Sequence, residues 1–345
     1  MPMIRVRRAS LAAFLLLAAC GNPSPARSTA QSPAPESTDQ GIPAGVIVVA
    51  NQQSASASVI ELPSGTTATI PVGQGPHEAA VTPDGRFAIV TVYGAQVPGN
   101  QLAVIDLGTK AVVRTIDLGE FRRPHGVVAL AGSPDLVTVT SEASANLLVV
   151  NIATGEIEAA VPTEARGSHM VAVTADGSRG FTANVPDGSV SEIDLASRAL
   201  VRVSPVASMT EGVAVTPDGA EVWVGSNDAG TVSVLDTRTN EVVATITGFQ
   251  MPYRLGISPD GRIAVVCDPE GSAIHVVDVQ SRKVLGSVDG LGSPRGVSIA
   301  PDSRTAFVTL NASSEVAVVD LETRAVLSRH PVGASPDGVA FAPRR

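Results

Sequence analysis

Glu211-Gly212-Val213-Ala214-Val215-Thr216-Pro217-Asp218-Gly219 is one copy of a stretch that returns along most of the chain. Near-copies start at His77, His125, His169, Tyr253, Arg295 and Asp337. The steps are 48 residues (77 to 125), 44 (125 to 169) and then 42 four times over, ending at 337. A repeat of about 40–45 residues marks a propeller built from four-stranded blades. In each unit a short strand such as Val213-Ala214-Val215 runs into a turn, Pro217-Asp218-Gly219. Pro presets the first turn dihedral, and Asp and Gly suit the positions after it. Pro83-Asp84-Gly85 and Pro259-Asp260-Gly261 repeat the turn, and Ala175-Asp176-Gly177 and Pro301-Asp302-Ser303 are weaker copies. A second strand follows, as at 305–309. A third then ends in Val104-Ile105-Asp106, Glu192-Ile193-Asp194, Val234-Leu235-Asp236, Val276-Val277-Asp278 or Val318-Val319-Asp320, and a fourth such as 112–116 closes the unit. Alternating β-branched residues between turn signals specify strands.

The two ends complete the count. Residues 337–343 read as an inner strand with nothing after it, whereas 46–50, 58–62 and 67–72 read as second, third and fourth strands with no inner strand before them. Joined, they make a seventh blade that closes the ring and leaves no open sheet edge. The expected fold is all-β: a seven-bladed β-propeller of four-stranded antiparallel blades over 45–345, closed by strands from both termini. The inner strands carry Val127, Val171, Val213, Leu255, Val297 and Val339 on one face. The other face has mostly small residues, Ala80, Ala172, Ala214, Gly256, Ser298 and Ala340. Blades that converge on an axis need thin side chains on one face.

The Pro-Asp-Gly … Val-Ile-Asp unit at 42-residue spacing resembles the YVTN-repeat, or YncE-like, seven-bladed propellers over 45–343. The name-giving Tyr-Val-Thr-Asn run is present in degenerate form as Phe307-Val308-Thr309-Leu310-Asn311, Phe181-Thr182-Ala183-Asn184 and Trp223-Val224-Gly225-Ser226-Asn227. The resemblance implies the fold. It implies less about activity, because its relatives include envelope proteins and a nucleic-acid binder, and its more distant relatives are lactonases and lyases. A single Trp argues against Trp-docked quinoprotein blades, and the Gly-His … Trp-Asp signature of WD repeats is absent.

Residues 1–19 read as a secretory signal, with Arg5, Arg7 and Arg8 ahead of an apolar run at 11–17 that is too short to span a bilayer. Leu17-Ala18-Ala19-Cys20-Gly21 resembles the bacterial lipoprotein signal, which implies lipid attachment at Cys20 and anchoring without a transmembrane helix. Residues 20–44 continue as a Pro/Ser/Ala-rich tether with too little apolar content to order itself. The expected location is therefore exported and lipid-anchored to the cell envelope, on its periplasmic or outer surface, with membrane contact through the anchor only. The chain is expected to be a monomer. Its formal charge of −9 becomes −12 once the three arginines of the signal leave. That charge, with 3% aromatic residues, argues against a nucleic-acid or anionic-membrane surface. With Cys20 lipidated, the other cysteine, Cys267, has no intramolecular partner, so no disulfide framework is expected.

The first residue of every inner strand falls at the same corner of its blade, at the mouth of the central channel. In blade order these are His77, His125, His169, Glu211, Tyr253, Arg295 and Asp337. Three of the five histidines occupy consecutive members of this ring. His77, His125 and His169 would suit one transition-metal ion (Zn, Cu or Fe), with Glu211 or Asp337 completing or orienting the shell. Arg295 and Tyr253 would suit a carboxylate, phosphate or lactone oxygen. Without a metal, a His base and an Arg partner remain. Three classes of function stay open. One is a binding module for a small molecule or an envelope protein. Another is a lactonase- or lyase-type enzyme, metal-dependent or not, with no catalytic residue assigned. The last, which charge disfavours, is a single-stranded nucleic-acid binder. Asn51, Glu142, Asn184, Asn227, Asp268 and Asn311, in the loops after the second strands, are expected chiefly to cap turns.

Overall fold

The protein is described by a computed structural model over residues 41–344. The expected signal segment, the expected lipid attachment at Cys20 and most of the expected tether lie outside the described residues. Seven four-stranded antiparallel sheets follow one another along the chain. Blades 1 to 6 span 76–117, 124–162, 168–205, 210–247, 255–289 and 294–331. Blade 7 takes its three outer strands from 45–71 and its innermost strand, Pro336–Pro343, from the other end of the chain. That strand pairs antiparallel with Gly45–Asn51, from Gly45 opposite Pro343 to Asn51 opposite Pro336. The ring is thus closed as the sequence predicts.

The core lies between blades rather than within one centre. Seven apolar clusters each join the facing sides of two neighbouring blades. The large and small residues of the inner strands meet across these seams: Ala80 lies in one cluster with Val127, Ala172 with Val213, and Ala214 with Leu255. A large side chain filling the gap left by a small one keeps the wedge packed near the axis.

The repeated acids hold turns. The Thr216 hydroxyl donates to Asp218 Oδ1 at 2.6 Å, and the same oxygen accepts the Ala220 amide at 3.0 Å. At the end of a third strand, Asp236 Oδ1 accepts the Arg238 and Thr239 amides, each at 2.8 Å. Cys267 is fully buried, and burial pushes its thiol far above the ordinary range, so it is an apolar packing residue rather than a nucleophile.

One irregularity positions everything that follows. In blade 1, Pro76 pairs with Val92 but Ala79 pairs with Val90, so three steps on the innermost strand match two on its neighbour. The same bulge occurs in blades 2, 3, 4, 6 and 7. In blade 5 the regular ladder begins only at Leu255. A bulge leaves one residue unpaired and re-aims its neighbours. The ring residue and the one after it are the two inside the bulge. In three blades a threonine at the same place on the second strand, opposite the bulge, holds it. Thr91, Thr140 and Thr309 accept the amides of Glu78, Gly126 and Gly296 at 3.0, 2.8 and 2.7 Å. Thr140 and Thr309 also donate to the carbonyls of His169 and Asp337 on the next blade, both at 2.6 Å.

The position after the ring residue is Gly126, Gly212, Gly296 and Gly338 in four blades because the next backbone is already there. A Cβ on Gly338 would sit 2.4 Å from Glu78 Oε2 and 2.6 Å from Glu78 Cα. Gly338→Ala is expected to lower stability by about 1–3 kcal/mol through overpacking, read as a fall in the urea midpoint with little change in slope.

Candidate functional site

Contacts and electrostatic interactions link the seven ring residues at the starts of the innermost strands. His77 stacks on Tyr93 with ring centroids 4.2 Å apart. His125 meets His77 edge-on at 4.9 Å and lies against His169 at 3.6 Å. His169 points one nitrogen at each of two carboxylates: Nδ1 is 3.0 Å from Glu142 Oε2, and Nε2 is 3.1 Å from Glu211 Oε1. Glu211 also accepts from Arg254 Nη1 at 3.0 Å and from the Asn227 amide. Arg254 reaches across the ring from blade 5 to blade 1, donating through Nε and Nη2 to Glu78 Oε1 at 3.1 and 2.9 Å. The Tyr93 hydroxyl donates to Glu142 at 3.2 Å. Arg295 Nη1 donates to the Tyr253 hydroxyl at 3.3 Å. One continuous polar chain therefore runs Tyr93–Glu142–His169–Glu211–Arg254–Glu78.

The three histidines are not equivalent. His77 Nδ1 lies 3.0 Å from the Gly75 carbonyl and must donate to it, which leaves Nε2 to accept from Gln52 at 2.9 Å. Burial lowers its pKa, with Asp337 opposing. His125 is buried, and burial together with its histidine neighbours holds it well below its ordinary pKa, so it is neutral. For His169 burial acts the same way, but hydrogen bonds to Glu142 and Glu211 outweigh it and the pKa rises. Burial would also raise Glu211, yet His169 and Arg254 hold its carboxyl at about 2. Glu78 goes the other way. Burial, with Asp337 nearby, overcomes Arg254 and lifts it to about 7. The Tyr93 hydroxyl is pushed up to about 12 by burial and by Glu142.

Glu142, one of the loop residues expected to cap a turn, instead faces His169, and Asn227 reaches Glu211. Asn51 and Asn184 do bond locally, to Ser56 and Ser58 and to Ser189 and Ser191 respectively. Asp268 accepts the Gln250, Met251 and Gly271 amides. Tyr93, Gln52 and the central role of Glu78 and Arg254 are additions that the sequence reading did not make. Three ring residues hold a buried side-chain atom with no hydrogen-bond partner among the described residues: His125 Nδ1, Arg295 Nε and Asp337 Oδ1.

A propeller with this closure and mouth belongs to a recognised class. The profile of the YncE-like beta-propeller family matches residues 141–339, and the chain is a member of that family. No curated protein matches it. Among solved structures it is similar to a chain of Kuenenia stuttgartiensis hydrazine synthase, at 19% identity and a TM-score of 0.70, covering 80% of this chain and 92% of that one. At that identity the likeness is one of fold.

Proposed function

We propose that this chain is a cell-envelope lipoprotein, held by lipid on Cys20, whose propeller binds a small ligand or protein partner at the channel mouth. The observation that carries the binding reading is the set of orphaned buried atoms on the ring, His125 Nδ1, Arg295 Nε and Asp337 Oδ1. Buried polar groups in folded proteins are rarely left unpaired, and three on one rim point to a bound molecule that pairs them. Two offer hydrogen bonds to, or share a proton with, an acceptor, and the third is a carboxylate. That set fits a small hydroxycarboxylate or its lactone. The test is thermal unfolding of the full chain against a panel of such acids and lactones. At 100 times Kd a true ligand adds about 2.7 kcal/mol, a rise of several degrees in Tm, and the rise disappears in Arg295→Ala. No shift from any member, or an equal shift in the variant, overturns the reading.

A second reading is a lactonase- or lyase-type enzyme acting at the same ring. The observation in its favour is a pair of histidines with ring centroids 3.6 Å apart that are shifted in opposite directions, His125 downward by burial and His169 upward, against burial, by its bonds to Glu142 and Glu211: a readier base beside a readier acid. Turnover of a lactone in the same panel separates it from binding alone.

A further inference from the structure

We infer that His125, Glu142 and His169 form a binding site for one divalent transition-metal ion of the zinc class, with Glu211 as the positioning residue. This deepens the reading of the mouth as a ligand site and replaces the all-histidine set that the sequence suggests. Each of the three residues offers a ligand atom, and these atoms all lie within 4.8 Å of one another. Two donors about 2.1 Å from one tetrahedral ion sit about 3.4 Å apart, so the cluster closes on an ion with sub-ångström adjustments. His77 is not one of the three. Its nitrogens are committed to the Gly75 carbonyl and Gln52.

Two imidazoles and a carboxylate are the donor set of an open zinc site, which keeps its fourth position for water or ligand. The surroundings supply what such a site requires. A metal-ligating His normally gives its second nitrogen to a carboxylate, and His169 Nε2 lies 3.1 Å from Glu211 Oε1 while Nδ1 faces Glu142. Glu211 is itself fixed by Arg254 and Asn227. Glu142 is steadied by the Tyr93 hydroxyl. Within this cluster, the buried His125 Nδ1 has no hydrogen-bond partner among the described residues. Glu142 keeps about a quarter of its side chain exposed (27%), so solvent and a ligand oxygen can reach the fourth position.

The test is titration of the EDTA-treated full chain with cobalt(II), read by its visible absorption and by zinc competition. One equivalent per chain is expected. Glu142→Gln, whose partly exposed side chain leaves packing intact, and His169→Gln should lose most of the cobalt affinity. Glu211→Gln should weaken it about 10–100-fold, as loss of an orienting partner does. His330→Ala, on an outer strand, is the control for histidine number and should bind as the parent does. Far-ultraviolet circular dichroism checks that each variant is folded. Absence of the cobalt band in the parent overturns the inference, as does parental affinity in folded Glu142→Gln and His169→Gln. The organic-ligand shift is measured on the metal-free chain, so a failure of the metal site leaves that result standing on its own.

Discussion

Arg254→Ala is expected to destabilise the propeller by about 3–5 kcal/mol, among the largest effects of any single substitution in the described residues. Arg254 is 3% exposed and bonds Glu78 and Glu211, both also buried. Removing it leaves those two acids, with Asp337 near Glu78, in a low-dielectric mouth without their cation. The cost comes from the stranded carboxylates, so it must depend on pH. Glu211 is held at about 2 with help from Arg254, and its contribution is present above the ordinary carboxylate range and lost as pH falls toward 2. Glu78 sits at about 7 even with Arg254 present, so ionising it costs stability as pH rises through that value. Without Arg254 both carboxyls shift upward. The deficit of the variant should therefore grow from pH 5 to pH 8. Urea midpoints of parent and variant at those two values check it, and equal deficits would mean that Arg254 acts by packing alone.

The fold was legible because a propeller states its period in every blade, and the split seventh blade showed as a surplus inner strand at one end and a missing one at the other. The ring was legible for the same reason: one residue per blade at a fixed phase. What the sequence hid follows from the bulge. A regular strand sends neighbouring side chains to opposite faces, which would turn Glu78 and Arg254, one step past the ring, away from it. The extra residue re-aims them, and they become the pair that spans the channel. A signal was present nonetheless. At this position Gly126, Gly212, Gly296 and Gly338 leave room for the next backbone, and a Glu or Arg there breaks the pattern. The loop residues were blurred by a slip of one. Asn51 and Asn184 pair opposite Pro336 and Ser168, whereas Glu142 and Asn227 lie one residue beyond the matching Ser141 and Ser226. Shifting by one exchanges faces. Aligned on the bulge, the blade 7 and blade 1 counterparts of Glu142 are Gln52 and Tyr93, the two residues that meet His77.

Deleting the innermost strand of blade 7, by ending the chain at residue 335, should abolish the cooperative fold altogether. The strand Pro336–Pro343 is the seam that closes the ring. Its loss strips the ladder partner from Gly45–Asn51, in which Ile47, Val48, Val49 and Ala50 are fully buried. It also takes Val339 from the cluster with blade 6 and Ala340 and Ala342 from the cluster with blade 1, so two interblade seams open at once. The Thr309 bond to the Asp337 carbonyl and the Asn311 bond to the Pro336 carbonyl go with it. A domain is stable by only about 5–15 kcal/mol, and the loss of a whole central strand exceeds that margin. What remains exposes an apolar edge at the axis, a template for pairing with other chains. The truncated chain is expected to elute as aggregate in size-exclusion chromatography and to show no unfolding transition. Adding a synthetic peptide of residues 336–343 in excess should restore part of the soluble, β-rich species, because the missing partner is a single continuous strand. A truncated chain that stays monomeric and melts cooperatively would show that six blades and an open seventh hold the ring without their clasp.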